Sequence, residues 1–443
     1  MKSSKRKICQ ILALVLSGVG ASAAMAVPVV QGGGSSLVAP TIGAIGVANT
    51  EIGLFGTTEG SFTYYSVGSG AGQNAFLGNQ PTFLGTGVTG TVDFANSDAA
   101  LSTAQITSYK SSTVGTASGP LIQIPYIVTP ITIPLINAPA VTSTATPQTT
   151  PGQAHSIALN DNDLCGIFSG KIADWNAVIN PETGAAYSTA SSPIKVVYRA
   201  DSSGTSELLT RHLAAVCTTA NTATGVTFVD SLTFANTSAF PSGVPANFVS
   251  ATGSGGVKTA LLAIQSSSGS PAAVAYLSPD YTNTFLAPSS SSASSQLQVA
   301  SLYNSKNSTY YAPTSANATT ALGTVTPPAN KLAASNAANW VPIAGNAAYA
   351  LLANPASGYP VSGTSQIILS QCYADPAVKT AVHDFLNDHF TNTTFAAVVR
   401  GNGFDTVPSG YQTAISNDFL SNAAGWNLDI GNTSVCTGSV TGR

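Results

Sequence analysis

VVYRADSSGTSELLTRHL, residues 196 to 213, runs from an apolar β-like stretch through Arg199 and Asp201 into small hydroxyl residues, then into a helix-like repeat. Leu209, Leu213 and Val216 recur on one helical face. Glu207 and Arg211 make an i,i+4 pair in the favourable order. A turn between strand and helix aims unpaired backbone N–H groups outward, and the helix dipole adds partial positive charge there. An arginine set beside such donors suits an anion.

The same unit of strand, Gly/Ser turn and helix recurs along the chain, which indicates α/β architecture. VPVV followed by QGGGSSLVAP (residues 27 to 40) is one instance, and FTYYSVGSGAGQNAFL (62 to 77) a second. TVDFANSDAALS (91 to 102) is a strand ending in Asp98. LIQIPYIVTPITIPLI (121 to 136) is β-rich but broken by prolines, so it is expected as an extended crossover rather than a central strand throughout. ALNDNDLCGIFSGKIADWN (158 to 176) reads as a short capped helix and a further helical turn, and GSGGVKTALLAIQ (253 to 265) as a helix before the strand AAVAYLS. Residues 287 to 340, rich in Ser, Ala, Asn and Thr, are expected as a loop-like or loosely β insertion, anchored by Tyr303, Tyr310 and Tyr311. A strand at YPVSGTSQIILSQCY (359 to 373) and an amphipathic helix at AVKTAVHDFLNDHF (377 to 390) follow.

Of the 443 residues only 7% are charged, against roughly 25% in an average soluble domain. The polar surface must therefore be built from Ser, Thr, Asn, Gln and Gly, a habit of secreted proteins. MKSSKRK, the apolar ICQILALVLSGVG and the small-residue ASAAMA together read as a secretory leader over residues 1 to 26, cleaved after Ala26 or, alternatively, Ala23. Cleavage removes Cys9 and four basic residues, leaving 11 Lys and Arg against 18 acids, a net charge of −7. No later stretch is apolar enough to enter a membrane, and no long basic run invites nucleic acid or an anionic membrane surface. Cys165, Cys217, Cys372 and Cys436 remain, an even number that favours two disulfides in any of three pairings.

Motifs for other chemistry fail on spacing. GGVKT (255 to 259) separates glycine from lysine by Val257, so a phosphate-cradling P-loop is lost and a helix start remains. Ser192 and Lys195 point to opposite faces of a strand. His383 and His389 lie about 240° apart around a helix, and His155 and His212 stand alone. No nucleophile–base pair, metal or cofactor is implied. Three Gly/Ser turns remain: GGGSSLV (32 to 38), VGSGAG (67 to 72) and DSSGTS (201 to 206). With Asp98 and Arg199 at strand ends, one shared ligand explains all three.

Taken in this order, the turns resemble the PstS-like phosphate-binding proteins that serve bacterial ABC phosphate transporters, and most closely their DING-type relatives. GGGSSLVAP is similar to the first phosphate loop of that family, VGSGAG to the second, and TVDFANSDAALS to the strand carrying its phosphate-accepting aspartate. DLCGIFSGKIADWN, VVYRADSSGTSELLTRHL, YPVSGTSQIILSQCYAD and GNGFDTVP match further family segments. Ser36 stands where threonine is usual, Val38 where proline is usual, and Val29-Val30-Gln31-Gly32 occupies the place of the eponymous Asp-Ile-Asn-Gly.

The resemblance implies a two-lobed periplasmic-binding-protein (type II) fold with ligand in the interlobe cleft. Crossings would lie near residues 124 to 132 and 359 to 366. Lobe I would comprise 27–127 and 363–443, and lobe II 128–362. The pairing Cys165–Cys217 with Cys372–Cys436 then closes each bridge within one lobe. Ser36 and Leu37 would offer a hydroxyl and a backbone N–H, Ser69 a second hydroxyl, and Asp98 an acceptor for the ligand's proton. Arg199, steadied by Asp201, would clamp the anion, while Ser203, Gly204 and Thr205 present a helix N-terminus. The ligand implied is inorganic phosphate, with arsenate as competitor and an ABC phosphate permease as possible partner of a monomeric receptor. A DING-like phosphatase acting on phosphomonoesters and a secreted adhesive or structural protein are the competing readings.

Overall fold

Three glycines end the first strand because a helix lies directly upon it. In the computed structural model, which describes residues 27–443, strand β1 spans Val29–Gly34 and the helix Ser69–Gly78 crosses its end. A Cβ on Gly72 would come within 2.5 Å of the Gly34 Cα, so the backbones touch where side chains would otherwise hold them apart. The expected leader, residues 1–26, lies outside the described residues.

Beside β1 run β2 (Ser61–Ser66) and β3 (Phe94–Ser97), both parallel to it. The chain continues through β4 (Leu121–Pro130), β5 (Pro134–Ile136), β6 (Ala158–Leu159), β7 (Ile194–Arg199), β8 (Phe248–Ala251) and β9 (Ala272–Ala275). Then follow β10 (Gln298–Val299), β11 (Ser301–Asn304), β12 (Thr309–Tyr311), β13 (Ser362–Ser370) and β14 (Asp405–Thr406). The first sheet has the order β14-β4-β13-β3-β1-β2, the second β10-β5-β9-β7-β8, and a small third sheet β12-β11-β6. Strands β7, β8 and β9 are parallel, so the carboxyl ends of β7 and its neighbours gather at one edge, as those of β1, β2 and β3 do in the first sheet. The chain passes between the sheets after β4 and before β13, and there Ile131 N–H donates to Val361 O at 2.8 Å. Both disulfides, Cys165–Cys217 and Cys372–Cys436, are formed.

Two expectations are corrected. The run 121–136 is not merely a crossover: its first ten residues form β4, buried throughout between β13 and β14. Proline is tolerated there because the ladder slips beside it. Gln366 pairs with Pro125 and Ser365 with Ile127, leaving Tyr126 as the extra residue of a bulge. The insertion is more helical than its composition suggests, with helices Ser315–Leu322 and Lys331–Ala334. Thr314 and Asn330 cap them, so residues that read as loop formers serve as helix starts. The first of these helices packs on β4, β13 and β14.

The bulged Tyr126 joins a buried trio. His389 Nδ1 lies 2.7 Å from Glu51 Oε1, and its Nε2 lies 2.8 Å from Tyr126 O. The Tyr126 hydroxyl donates to the other Glu51 oxygen, and its ring stacks on the imidazole. This ties helix Glu51–Phe55, helix Pro376–Thr391 and β4 together beneath the first sheet. Removing the imidazole strands a buried carboxylate. His389→Ala is expected to lower unfolding free energy by about 3–5 kcal/mol, read by urea denaturation. A loss under about 1 kcal/mol would mean that Glu51 finds another partner.

Candidate functional site

Every candidate residue follows the carboxyl end of a parallel strand or opens the helix after it. Open α/β sheets place ligands there, because successive turns converge and helix N-termini point inward. Ser35, Ser36 and Leu37 leave β1, Ser69 opens the helix after β2, and Asp98 follows β3. From the second sheet Arg199 ends β7, and Ser203, Gly204 and Thr205 begin helix Gly204–Val216.

Asp98 is buried and collects hydroxyl donors. Ser35 Oγ donates to its Oδ1 at 2.6 Å and Ser365 Oγ to the same oxygen at 2.8 Å. Ser69 Oγ reaches Oδ2 at only 3.5 Å, and accepts from the Asp98 N–H at 3.2 Å. Oδ2 therefore keeps acceptor capacity. Burial pushes the Asp98 carboxyl up, while the Ser35 and Ser365 bonds and the Arg199 charge pull it back.

Arg199 is 2% exposed, almost wholly buried for so long a cation. Its Nε donates to Asp201 Oδ1 at 2.7 Å and its Nη2 to Asp201 Oδ2, a fork-to-fork pair that fixes the guanidinium plane. Burial alone would raise the Asp201 carboxyl, but Arg199's hydrogen bonds and charge outweigh it and hold it low. Asp201 Oδ1 also accepts the Gly253 N–H at 3.0 Å, which ties the turn after β8 to this clamp. The remaining guanidinium nitrogen, Nη1, lies 3.4 Å from Ser254 Oγ. Ser254 in turn meets Ser36, with 3.0 Å between hydroxyls and 3.1 Å from its N–H to Ser36 Oγ.

Gly204 sets the two sheets' loops against each other. A Cβ there would fall 2.6 Å from both Asp98 Cβ and Ser69 Oγ, and 2.7 Å from the Ala99 nitrogen. Only glycine lets the helix N-terminus approach the carboxylate so closely. Ser203 caps that helix by accepting the Ser206 N–H at 3.3 Å. Thr205 Oγ1 is buried with no hydrogen-bond partner among the described residues, as a group meant for a ligand would be. Leu37 N–H instead donates to Ser35 Oγ at 3.1 Å.

The structure thus gathers Ser36, Ser69, Asp98, Arg199, Asp201 and the start of helix Gly204–Val216 around one point. Three further residues join them. Ser254 belongs to a fourth Gly/Ser turn, GSGGVK, whose signal was a glycine-rich helix entry rather than a P-loop. Ser35 hides beside Ser36, and Ser365 sits inside a strand, where no local pattern marks it. Among the described residues no group of three or more His, Cys, Asp or Glu side chains gathers as a metal site.

Comparisons with known proteins find relatives along most of the chain. Residues 20–387 match the family model described as PBP superfamily domain. A curated phosphate-binding protein from an unknown prokaryotic organism is 36% identical over 388 residues, covering 86% of this chain and 93% of that one. Alkaline phosphatase L from Pseudomonas aeruginosa is 34% identical over 378 residues, covering 85% and 86%. Among solved structures, a high-affinity periplasmic phosphate-binding protein (PfluDING) bound with phosphate aligns with a TM-score of 0.72 at 34% identity, covering 94% of this chain and 99% of that one. With a family model matched over residues 20–387 and relatives more than 30% identical along most of its length, the chain belongs to the PBP superfamily, alongside the DING phosphate-binding proteins.

Proposed function

We propose that this chain is a high-affinity receptor for hydrogen phosphate, held in a cleft between two lobes for uptake or scavenging. The observation that carries the reading is Asp98, a buried carboxylate with a free acceptor site beside a buried arginine. An anion can face that oxygen only if it brings a proton to donate. Hydrogen phosphate does and sulfate does not, so sulfate meets an uncompensated charge. Arg199, Ser36, Ser69, Thr205 and the N–H groups from Ser203 to Thr205 supply the donors for the other oxygens. Lobe I would comprise 27–127 with 363–443 and lobe II 128–362, and the receptor would act as a monomer. Arsenate would compete, since its shape and protonation resemble phosphate's, and an ABC permease is the natural recipient. Export to the periplasm or beyond suits the two disulfides, which persist in oxidising compartments. No helix among the described residues is long and apolar enough to cross a membrane.

A phosphatase is the second reading, since a relative carries that name and Ser35 donates to Asp98 at 2.6 Å, the start of a hydroxyl–base pair. The receptor reading is preferred because the Ser365 hydroxyl occupies the same Asp98 oxygen, which makes the carboxylate a hub of donors rather than a free base. Phosphomonoester turnover, with and without a chelator and lost in Ser35→Ala, would reverse the preference.

Calorimetric titration of phosphate-stripped protein with phosphate and then sulfate tests the receptor directly. Wild type is expected to bind phosphate and reject sulfate. Asp98→Asn should narrow the preference by at least about 100-fold, since a like-charge contact costs several kcal/mol. Equal binding of both anions by wild type would sink the reading. Gly204→Ala should weaken phosphate binding about 5- to 150-fold, equivalent to an overpacking cost of about 1–3 kcal/mol on closure. Unchanged affinity would mean that the helix does not approach Asp98 when phosphate binds.

A further inference from the structure

One acid near the cleft has no place in the site described so far. Asp280 lies in the turn Pro279–Tyr281 that follows β9, the strand next to the one bearing Arg199. Val197 of β7 pairs with Ala275 of β9, so Arg199 and Leu277 stand nearly level, and Ser278 and Asp280 project past the strand ends. Asp280 is fully buried, and neither carboxyl oxygen has a hydrogen-bond partner among the described residues. The Ser278 hydroxyl beside it is likewise buried without a well-formed partner. A native interior rarely leaves such groups unmatched unless something else fills them.

The neighbours of this turn come from both sides of the cleft. Leu277 exchanges backbone bonds with Thr132 on the first crossing, at 3.0 and 2.8 Å. A Cβ on Gly403, just before β14 of the first sheet, would fall 2.8 Å from Pro279 Cβ, and Ser289 N–H donates to Gly401 O at 2.8 Å. Closing the two sides therefore seals Asp280 in; parting them admits water.

We propose that Asp280 is a further residue of the phosphate site, a hydrogen-bond donor that carries its own proton into the closed cleft. The proposal rests on the phosphate reading above. Its logic is a contrast between two buried acids. Asp98 has hydroxyl donors from Ser35, Ser365 and Ser69 and a guanidinium at hand, which support its charge. Asp280 has no guanidinium at hand and only the poorly placed Ser278 hydroxyl, so the neutral acid is its cheaper form, and that form holds an O–H that needs an acceptor. A tetrahedral oxyanion supplies one. Burial pushes the Asp280 carboxyl well up, with the Ser278 hydroxyl opposing only in part and the Asp98 charge adding to the rise.

The charged and titratable groups around the turn do not reverse this. Tyr281 adjoins it and Tyr64 faces it from β2, both with hydroxyls pushed up chiefly by burial. Lys258, on the helix Gly253–Gln265 packed beside the turn, gives its ammonium to Ser292 O. Arg400, near the Gly401–Gly403 contact, is exposed and paired with Asp405. Arg199 is committed to Asp201.

The sign follows. Solvated in the open form, Asp280 titrates in the ordinary carboxylate range; in the closed form its titration lies higher. Between the two values each binding event takes up a proton and affinity falls as pH rises, by up to about tenfold per pH unit. Below that window both forms are protonated and the linkage vanishes.

The test is calorimetry of the full mature chain with sodium phosphate, in mildly alkaline buffers of different ionisation heat, where the ligand is already hydrogen phosphate. Wild type is expected to take up close to one proton per phosphate. Asp280→Asn should abolish that uptake and bind no more weakly than wild type, because the amide donates without having to gain a proton; Asp280→Ala should bind about tenfold or more weakly than Asp280→Asn. No uptake by wild type, which needs no variant to fold, would overturn the proposal, as would equal uptake by Asp280→Asn. Absence of phosphate binding by wild type would overturn the receptor reading and this proposal together, whereas binding without proton uptake overturns the role of Asp280 alone.

Discussion

A carboxylate cannot be buried at Asp98 unless donors reach it from several directions, and that requirement organises the first sheet. Ser35 comes from the end of β1 and Ser69 from the helix after β2. Ser365 comes from β13, which returns antiparallel beside β3 with Gln366 opposite Ser97. One register slip in β13 would turn Ser365 to the other face and leave the carboxylate short of a donor. The strand order β13-β3-β1-β2 is thus the arrangement that surrounds one oxygen with hydroxyls while leaving its partner to accept.

The scarcity of charge extends this principle through the molecule. With 7% charged residues, the chain spends few acids and bases on its surface and keeps several of them inside. Glu207 and Arg211, which read as an ordinary helix-face pair, are both buried, with the Arg211 guanidinium over the Tyr349 ring. Burial pushes Glu207 up to about 8 despite the Arg211 charge, and Asp230 adds to the rise. That pair sits on the helix whose first turn faces Asp98, so its geometry supports the site without touching it. Glu51 and His389 do the same beneath the first sheet.

Legibility in the sequence followed local chemistry. Asp98, Arg199 and Ser203 to Thr205 announce themselves because a strand end, a Gly/Ser turn and a helix start are contiguous. The family resemblance added Ser36, Leu37 and Ser69. Ser365 was invisible because its role comes from a neighbour strand some 270 residues away, and its own segment reads as ordinary β. Ser254 was discounted because GSGGVK fails as a P-loop, although a glycine turn at a strand end needs no lysine to offer N–H groups. The prolines of β4 misled because a bulge can absorb them, and the Ser/Asn-rich insertion misled because the same residues cap helices.

Closure of the cleft has a feature that bears on its control. Among the described residues, every ion pair joins groups on the same side of the cleft: Arg199–Asp201, Arg211–Glu207 and His212–Asp161 on one, His389–Glu51, His383–Asp384 and Arg400–Asp405 on the other. Links between the facing site loops are neutral, such as Gly70 N–H to Ser202 O at 3.0 Å and Ser254 N–H to Ser36 Oγ at 3.1 Å. Neutral bonds of this kind contribute only about 0.5–1.5 kcal/mol each. The opposed charges are Arg199 on one side and Asp98 on the other, and a protonated oxyanion between them can satisfy both at once. In the proposed receptor the ligand would supply the electrostatic bridge that the facing loops omit, and the anion with the right proton would drive closure rather than the lobes' own attraction.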